Sequence, residues 1–249
     1  TPRGRPTVPP PRADGRVDRG DGASVPGLVS SDGTGQQFKY NRSEQSSVLM
    51  SGLAAGDPAP VPRAFEATVA SDRDRTAQRW RGAARRRSLG GLGGGDDALS
   101  SFTYGGLADV VRRLSVAFRT LGVRAGDRVV VAGPARPEWT AVDLALLSAG
   151  AVVVPVRPDA TPEHVSTLAR ARDVHGLVVG DGDALGALAP STVDAVLGPV
   201  VSLGETTVHD RRVSVFDLLE LYERGHASFD REAHDGRVAA LSPADPATE

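Results

Sequence analysis

The sequence has 249 residues, enough for one sizeable core with or without a tail, and its 29 Lys plus Arg against 31 Asp plus Glu leave a formal charge of -2. That balance excludes the global basic field that draws a chain to nucleic acid and points to small molecules or proteins as partners. The absence of cysteine excludes disulfides, thiolate metal sites and cysteine nucleophiles, and no apolar stretch approaches the ~20 residues that cross a bilayer.

Residues 1–60 hold 9 Gly and 8 Pro and no sustained period of 2 or 3.6, so they are expected to be a disordered tail. The only methionine is Met50 and the only lysine is Lys39, in a polar patch unlike the Arg, Ala and Gly-rich remainder. Residues 1–49 are therefore expected to lie upstream of a true start at Met50. No basic-then-apolar signal peptide opens the chain, and the expected location is cytoplasmic. Residues 61–101 read as an Arg/Gly-rich lead-in and linker. Seven arginines fall between Asp72 and Ser88, a solvated face, and the run Gly90, Gly91, Leu92, Gly93, Gly94, Gly95 has neither the strand before it nor the helix after it that a dinucleotide loop needs.

Order is expected from Phe102. Leu107, Val110, Val111, Leu114, Phe118 and Leu121 recur at helical spacing, with Asp109, Arg112, Arg113 and Arg119 on the opposite face and Gly122 as the stop. Gly105 and Gly106 disfavour the first turn and predict a late start. The apolar run 129–132 predicts a strand buried on both faces, hence a parallel sheet. Pro137 opens a helix through Trp139, Val142, Leu146 and Leu147 that Gly150 closes, and a second buried strand follows at 151–154. Thr161 caps a helix with Pro162 at its first position and Glu163 in its first turn. Further elements are a strand at 177–179, a short helix at 184–188, a strand at 200–203 and a helix at 215–222. Alternating strands and helices define an α/β layered, largely parallel sheet built from right-handed crossovers.

Phe102, Thr103, Tyr104, the arginine-rich helix ending in Leu121, Gly122 and Val123, and then Gly126, Asp127, Arg128 and Val129, resemble the opening of the adenylate-forming superfamily. Arg136, Pro137, Glu138 and Trp139, followed by Ala149, Gly150, Ala151, Val152, Val153, Val154 and Pro155, are most similar to the long-chain fatty-acid-CoA ligases. Asp245, Pro246, Ala247 and Thr248 resemble the stretch that, in that family, leads into a strand and a Ser, Thr and Gly-rich phosphate loop. The resemblance implies an incomplete N-terminal domain over residues 102–249. The implied full-length enzyme is an AMP-forming acyl-CoA synthetase that uses ATP, Mg²⁺ and CoA to activate a fatty or other carboxylic acid.

No catalytic, cofactor-binding or metal-binding residue is assigned to this chain. The family's phosphate-loop and adenylation lysines have no counterpart, since Lys39 lies in the tail. The string Ser30, Ser31, Asp32, Gly33, Thr34, Gly35 precedes the fold instead of following a buried strand. His164, His175, His209, His226 and His234 show no metal-ligand spacing, and His164 is expected to face solvent. Glu138 and Asp143 lie on diverging faces of one helix, which argues against paired acid–base work. Ser115 and Ser148 lack an elbow glycine context, and Trp139 reads as a core anchor. The chain is expected to be inactive alone, with a separately encoded C-terminal remainder as a candidate partner; the alternative is a non-catalytic binding or partner module on the same scaffold.

Overall fold

The computed structural model describes residues 59–81, 94–95, 99–133, 136–157, 159–171, 173–204 and 215–249. The tail 1–58, with its expected disorder and the Met50 start, lies outside these residues, as do His209 and most of the glycine run.

Order begins earlier than Phe102. Helix α1 (Val61–Asp72) has proline in its first turn and buries Phe65 and Val69, four apart on one face. Strand β1 (Thr76–Arg81) then pairs antiparallel with β3 (Leu99–Thr103), which also pairs with β2 (Gly94–Gly95), so two of the run's glycines sit in a strand. The Trp80 and Phe102 rings tie β1 to β3 with centroids 5.3 Å apart.

Helix α2 (Tyr104–Thr120) does not start late. Thr103 caps it, Oγ1 accepting from the Gly106 amide at 3.1 Å, and this bond offsets the glycine penalty. Gly105 has a packing reason to be glycine: its N–H donates to the Arg73 carbonyl at 2.8 Å, and a Cβ there would lie 2.7 Å from the Arg73 Cγ. At the far end Gly122, with φ +100°, donates to Arg119 O, and Val123 donates to Phe118 O. This is the paired closure that a left-handed residue permits.

Five strands follow in a wholly parallel sheet: β4 (Arg128–Ala132), β5 (Val152–Val156), β6 (Val174–Val179), β7 (Val200–Ser202) and β8 (Val215–Asp217), in the order β5-β4-β6-β7-β8. Helices α3 (Pro137–Ala149), α4 (Pro162–Ala171), α5 (Gly182–Gly186) and α6 (Pro190–Val193) make the crossovers. Alternate strand residues feed two cores. Val129, Val131, Val153, Val178 and Val201 pack with α2 and α3; Val130, Val154, Leu177, Val179 and Val200 pack with α4, α5 and α6.

The predicted helix at 215–222 is instead a strand followed by a helix. β8 ends at Asp217, whose Oδ1 accepts from the Glu220 amide at 2.8 Å and starts α7 (Leu218–Ala227). Asp217 and Glu220 have the spacing of a reciprocal helix cap, a start signal that the continuous apolar pattern concealed. α7 crosses α2 so closely that a Cβ on Gly225 would lie 1.9 Å from the Arg113 carbonyl oxygen. A last helix, α8 (Arg231–Ala240), packs on α1 and α3.

Arg112, expected on the solvated face of α2, is 7% exposed. Its guanidinium pairs with Glu66 of α1, with Nε 3.0 Å from Oε1 and Nη2 on Oε2. His234 of α8 is fully buried, its Nε2 3.5 Å from Glu66 Oε1. Burial is the strongest single influence on Glu66 and raises its pKa, but His234 and Arg112 together outweigh it and hold the carboxyl at about 2, below its ordinary 4.5.

Candidate functional site

In this strand order the first strand, β4, lies between the second and the third. The β4-to-β5 crossover, α3, and the β5-to-β6 crossover, α4, therefore lie on opposite faces, and the carboxyl ends of β4 and β6 form the switch point at which open α/β sheets bind ligands. Gly133 follows β4 with φ +156°, and a Cβ on it would lie 3.0 Å from the Cα of Gly180, the residue after β6. The two strand ends thus meet glycine to glycine. Arg136 fastens them, its Nη1 donating to Gly180 O at 3.0 Å while its Nε lies 3.5 Å from the Oε2 of Glu138. Glu138, in the first turn of α3, is 4% exposed, a position where the helix dipole favours a carboxylate.

Beside this clamp is a cavity of ≈ 150 Å³ lined by Ala132, Gly133, Arg157, Ala160, Val165, Val179 and Leu188, among others. Its walls are apolar apart from Arg157, and Arg157 is already held by Asp159 through two bonds of 3.0 and 2.9 Å. A triphosphate needs several converging donors or cations, so these residues do not fit ATP. A larger cavity of ≈ 210 Å³ lies between Pro60, Leu147, Leu241 and Pro243. The only titratable group lining it is Asp245, whose carboxylate accepts from the Ser242 amide. It offers less chemistry than the switch point.

The other residues weighed from sequence are scattered. His164 is exposed in the first turn of α4, and His175 lies 3.6 Å from Asp127 at the amino end of the sheet. Ser148 donates to Leu144 O at 2.7 Å; Ser115 is fully buried in α2. Asp143 is half-buried on α3, and burial raises its pKa. Trp139 packs against the α2–α3 core as an anchor. Among the described residues no group of three or more His, Cys, Asp or Glu could hold a metal ion. Sequence reasoning missed the Arg136 clamp and the Gly133–Gly180 approach. Their signal was a glycine directly after each of two buried strands.

The remaining landmark is at the sheet edge. Residues 247–249 run parallel to β5: the Val153 amide donates to Ala247 O at 2.9 Å, the Glu249 amide to Val153 O at 3.1 Å, and Arg128 Nε to Glu249 Oε2 at 2.7 Å. Pro155, two residues beyond Val153, lacks an amide on that same outer side, so β5 offers no backbone donor at the next rung.

The profile of the AMP-binding enzymes matches residues 65–248, from α1 to this edge segment. The chain belongs to that family. Two curated relatives are the long-chain-fatty-acid–CoA ligases FadD15 of Mycobacterium bovis and of Mycobacterium tuberculosis, each 31% identical over 158 residues, covering 61% of this chain and 24% of the relative. The chain thus spans about a quarter of the length of the curated relatives it matches. Among solved structures, the A-PCP didomain of the Segniliparus rugosus carboxylic acid reductase, in complex with AMP, is 17% identical with a TM-score of 0.58, over 78% of this chain and 29% of that one. The adenylation domain of a Mycobacterium chelonae carboxylate reductase is 16% identical with a TM-score of 0.55, over 72% of this chain and 31% of that one. At such identities the likeness establishes the fold alone, an α/β layer. Membership implies ATP and Mg²⁺ for a full enzyme of the family. No helix among the described residues is long and apolar enough to cross a membrane.

Proposed function

We propose that this chain is the N-terminal sheet portion of a cytoplasmic AMP-forming acyl-CoA synthetase, that it activates no acid by itself, and that chain lying outside this sequence supplies the phosphate chemistry. In the implied reaction a carboxylate oxygen attacks the α-phosphorus of ATP, the bond to the β-phosphate breaks, and pyrophosphate leaves. The CoA thiol then displaces AMP to give the acyl-CoA. This chain's part is to hold the sheet, present the switch point at Gly133 and Gly180, and set the direction of the edge segment.

The observation that carries the reading is that edge segment. Residues 247–249, within the stretch that resembles the family's lead into its phosphate loop, lie along β5 in parallel register, held by two backbone bonds and the Arg128–Glu249 pair. A continuation in that direction would add a strand and deliver a phosphate-binding loop to the carboxyl edge of the sheet, the edge that carries the switch point. Residues 102–249 then form the bulk of a partial domain, with α1 and β1 packed against it, and the carboxylic acid, ATP and CoA are substrates of the whole enzyme.

Calorimetric titration of the 249-residue chain with ATP and Mg²⁺ tests the reading. No heat of specific binding is expected up to millimolar ATP, about the upper end of ordinary KM values. A saturable 1:1 isotherm in the micromolar range would sink it, because it would require a triphosphate site within this chain.

A further inference from the structure

The last carbonyls of a helix have no partner within it and need donors from elsewhere. At the end of α8 two of them, Val238 O and Ala239 O, are taken by one side chain from the opposite end of the described chain. Arg63 of α1 directs Nε to Val238 O at 3.3 Å and Nη2 to Ala239 O at 2.7 Å, and Nη2 also bonds Leu241 O. The guanidinium thus sits at the negative end of the helix dipole. α8 has a seat of its own that does not depend on this fork: His234 and Val238 are buried at 0% and 4% exposure.

What the fork fixes is the chain that leaves the helix. Leu241 is extended, with φ −64° and ψ 137°. Beyond it comes a tight turn in which Ser242 N donates to Asp245 Oδ2 at 2.8 Å and Asp245 N to Ser242 O at 3.0 Å. The chain then reaches β5, where two backbone bonds to Val153 and the Arg128–Glu249 pair hold it in register. A pairing of two backbone bonds with one partly exposed ion pair is marginal by itself. Its register therefore depends on where the turn is anchored, and Leu241 is anchored by Arg63.

We propose that Arg63 is a positioning residue: it sets the register of residues 241–249 against β5, and so, on the reading that this chain is part of a synthetase, the direction in which the phosphate-loop segment sets out. It acts on the backbone of that segment and touches no substrate.

Amide hydrogen exchange of the 249-residue chain, resolved by NMR, tests this with two reporters on one strand. The Val153 amide faces outward to Ala247, whereas the Val152 amide faces inward to Asp127 O at 2.8 Å. In Arg63→Gln the Val153 amide should exchange roughly ten- to hundredfold faster, as expected for loss of charge-assisted bonds, with Val152 unchanged. Arg63→Lys keeps the charge without the fork and should stay closer to the Gln variant than to the wild type. Unchanged exchange at Val153, equal acceleration at Val152, or full recovery by lysine would each overturn the proposal. The readout does not require adenylation, so it can fail while the synthetase reading stands, and the reverse.

Discussion

Arg112→Ala is expected to lower the unfolding free energy by about 3–5 kcal/mol, the cost of leaving one partner of a buried ion pair uncompensated. Arg112 is 7% exposed, and its guanidinium is the doubly bonded partner of Glu66, which His234 approaches from α8. One substitution should therefore loosen the α1–α2–α8 corner as a unit. The pH dependence follows from Glu66, whose folded pKa is about 2 against an ordinary 4.5. The stability it contributes is fully present above about pH 4.5 and is lost as pH falls toward 2. From that shift it amounts to at most about 3 kcal/mol, and to less because the carboxylate is partly exposed to solvent. Denaturant midpoints of wild type and Glu66→Gln, measured from pH 7 down to pH 2.5, should converge as the pH falls. A gap that widens on acidification would show that the carboxylate is not held ionised by its neighbours.

Leu114→Ala should cost about 2–5 kcal/mol, a large share of the ~5–15 kcal/mol that holds a domain together. Leu114 is fully buried among Val110, Val111 and Phe118 at the centre of the stripe that α2 presents to the core it shares with α3. The natural comparison is Arg113, the next residue. It is tied to α7: its guanidinium lies 5.0 Å from the Tyr222 ring centroid, Nη1 bonds the Tyr222 hydroxyl, and Nη2 is 3.0 Å from Asp109 Oδ1. Arg113→Ala should cost about 1 kcal/mol by the usual worth of such partly exposed contacts. Urea unfolding of both variants checks the orientation of α2. Equal losses would mean that Leu114 does not face the core.

The parallel sheet was legible because strands covered on both faces must be apolar at every position, and residues 129–132, 151–154 and 177–179 are. The boundaries of α3 were legible because Pro137 and Gly150 act through backbone geometry local to each residue. α1 was concealed by its setting: its buried residues are few and stand in a stretch whose proline and arginine content reads as solvated. β8 was hidden because three strand residues followed by an apolar helix make one unbroken pattern. The burial of Arg112 could not be read, since its partner Glu66 lies 46 residues away and a polar face is drawn from the helix alone. The same holds for the site. The glycines after β4 and β6 are visible in the sequence, but that they meet, and that Arg136 locks them, follows only from the order in which the strands pair.

The most direct measurement of the central claim is fatty-acid-dependent exchange of labelled pyrophosphate into ATP by the purified 249-residue chain, with Mg²⁺ and acids from acetate to palmitate. Loss of a single preorganised donor from such a site typically costs about 10²- to 10³-fold in rate, and the cavity at the strand ends offers one cation, Arg157, which Asp159 already occupies. The account predicts no exchange above the protein-free rate with any acid. Acid-dependent exchange by this chain alone would contradict it, because a complete adenylation centre would then have to lie within these residues.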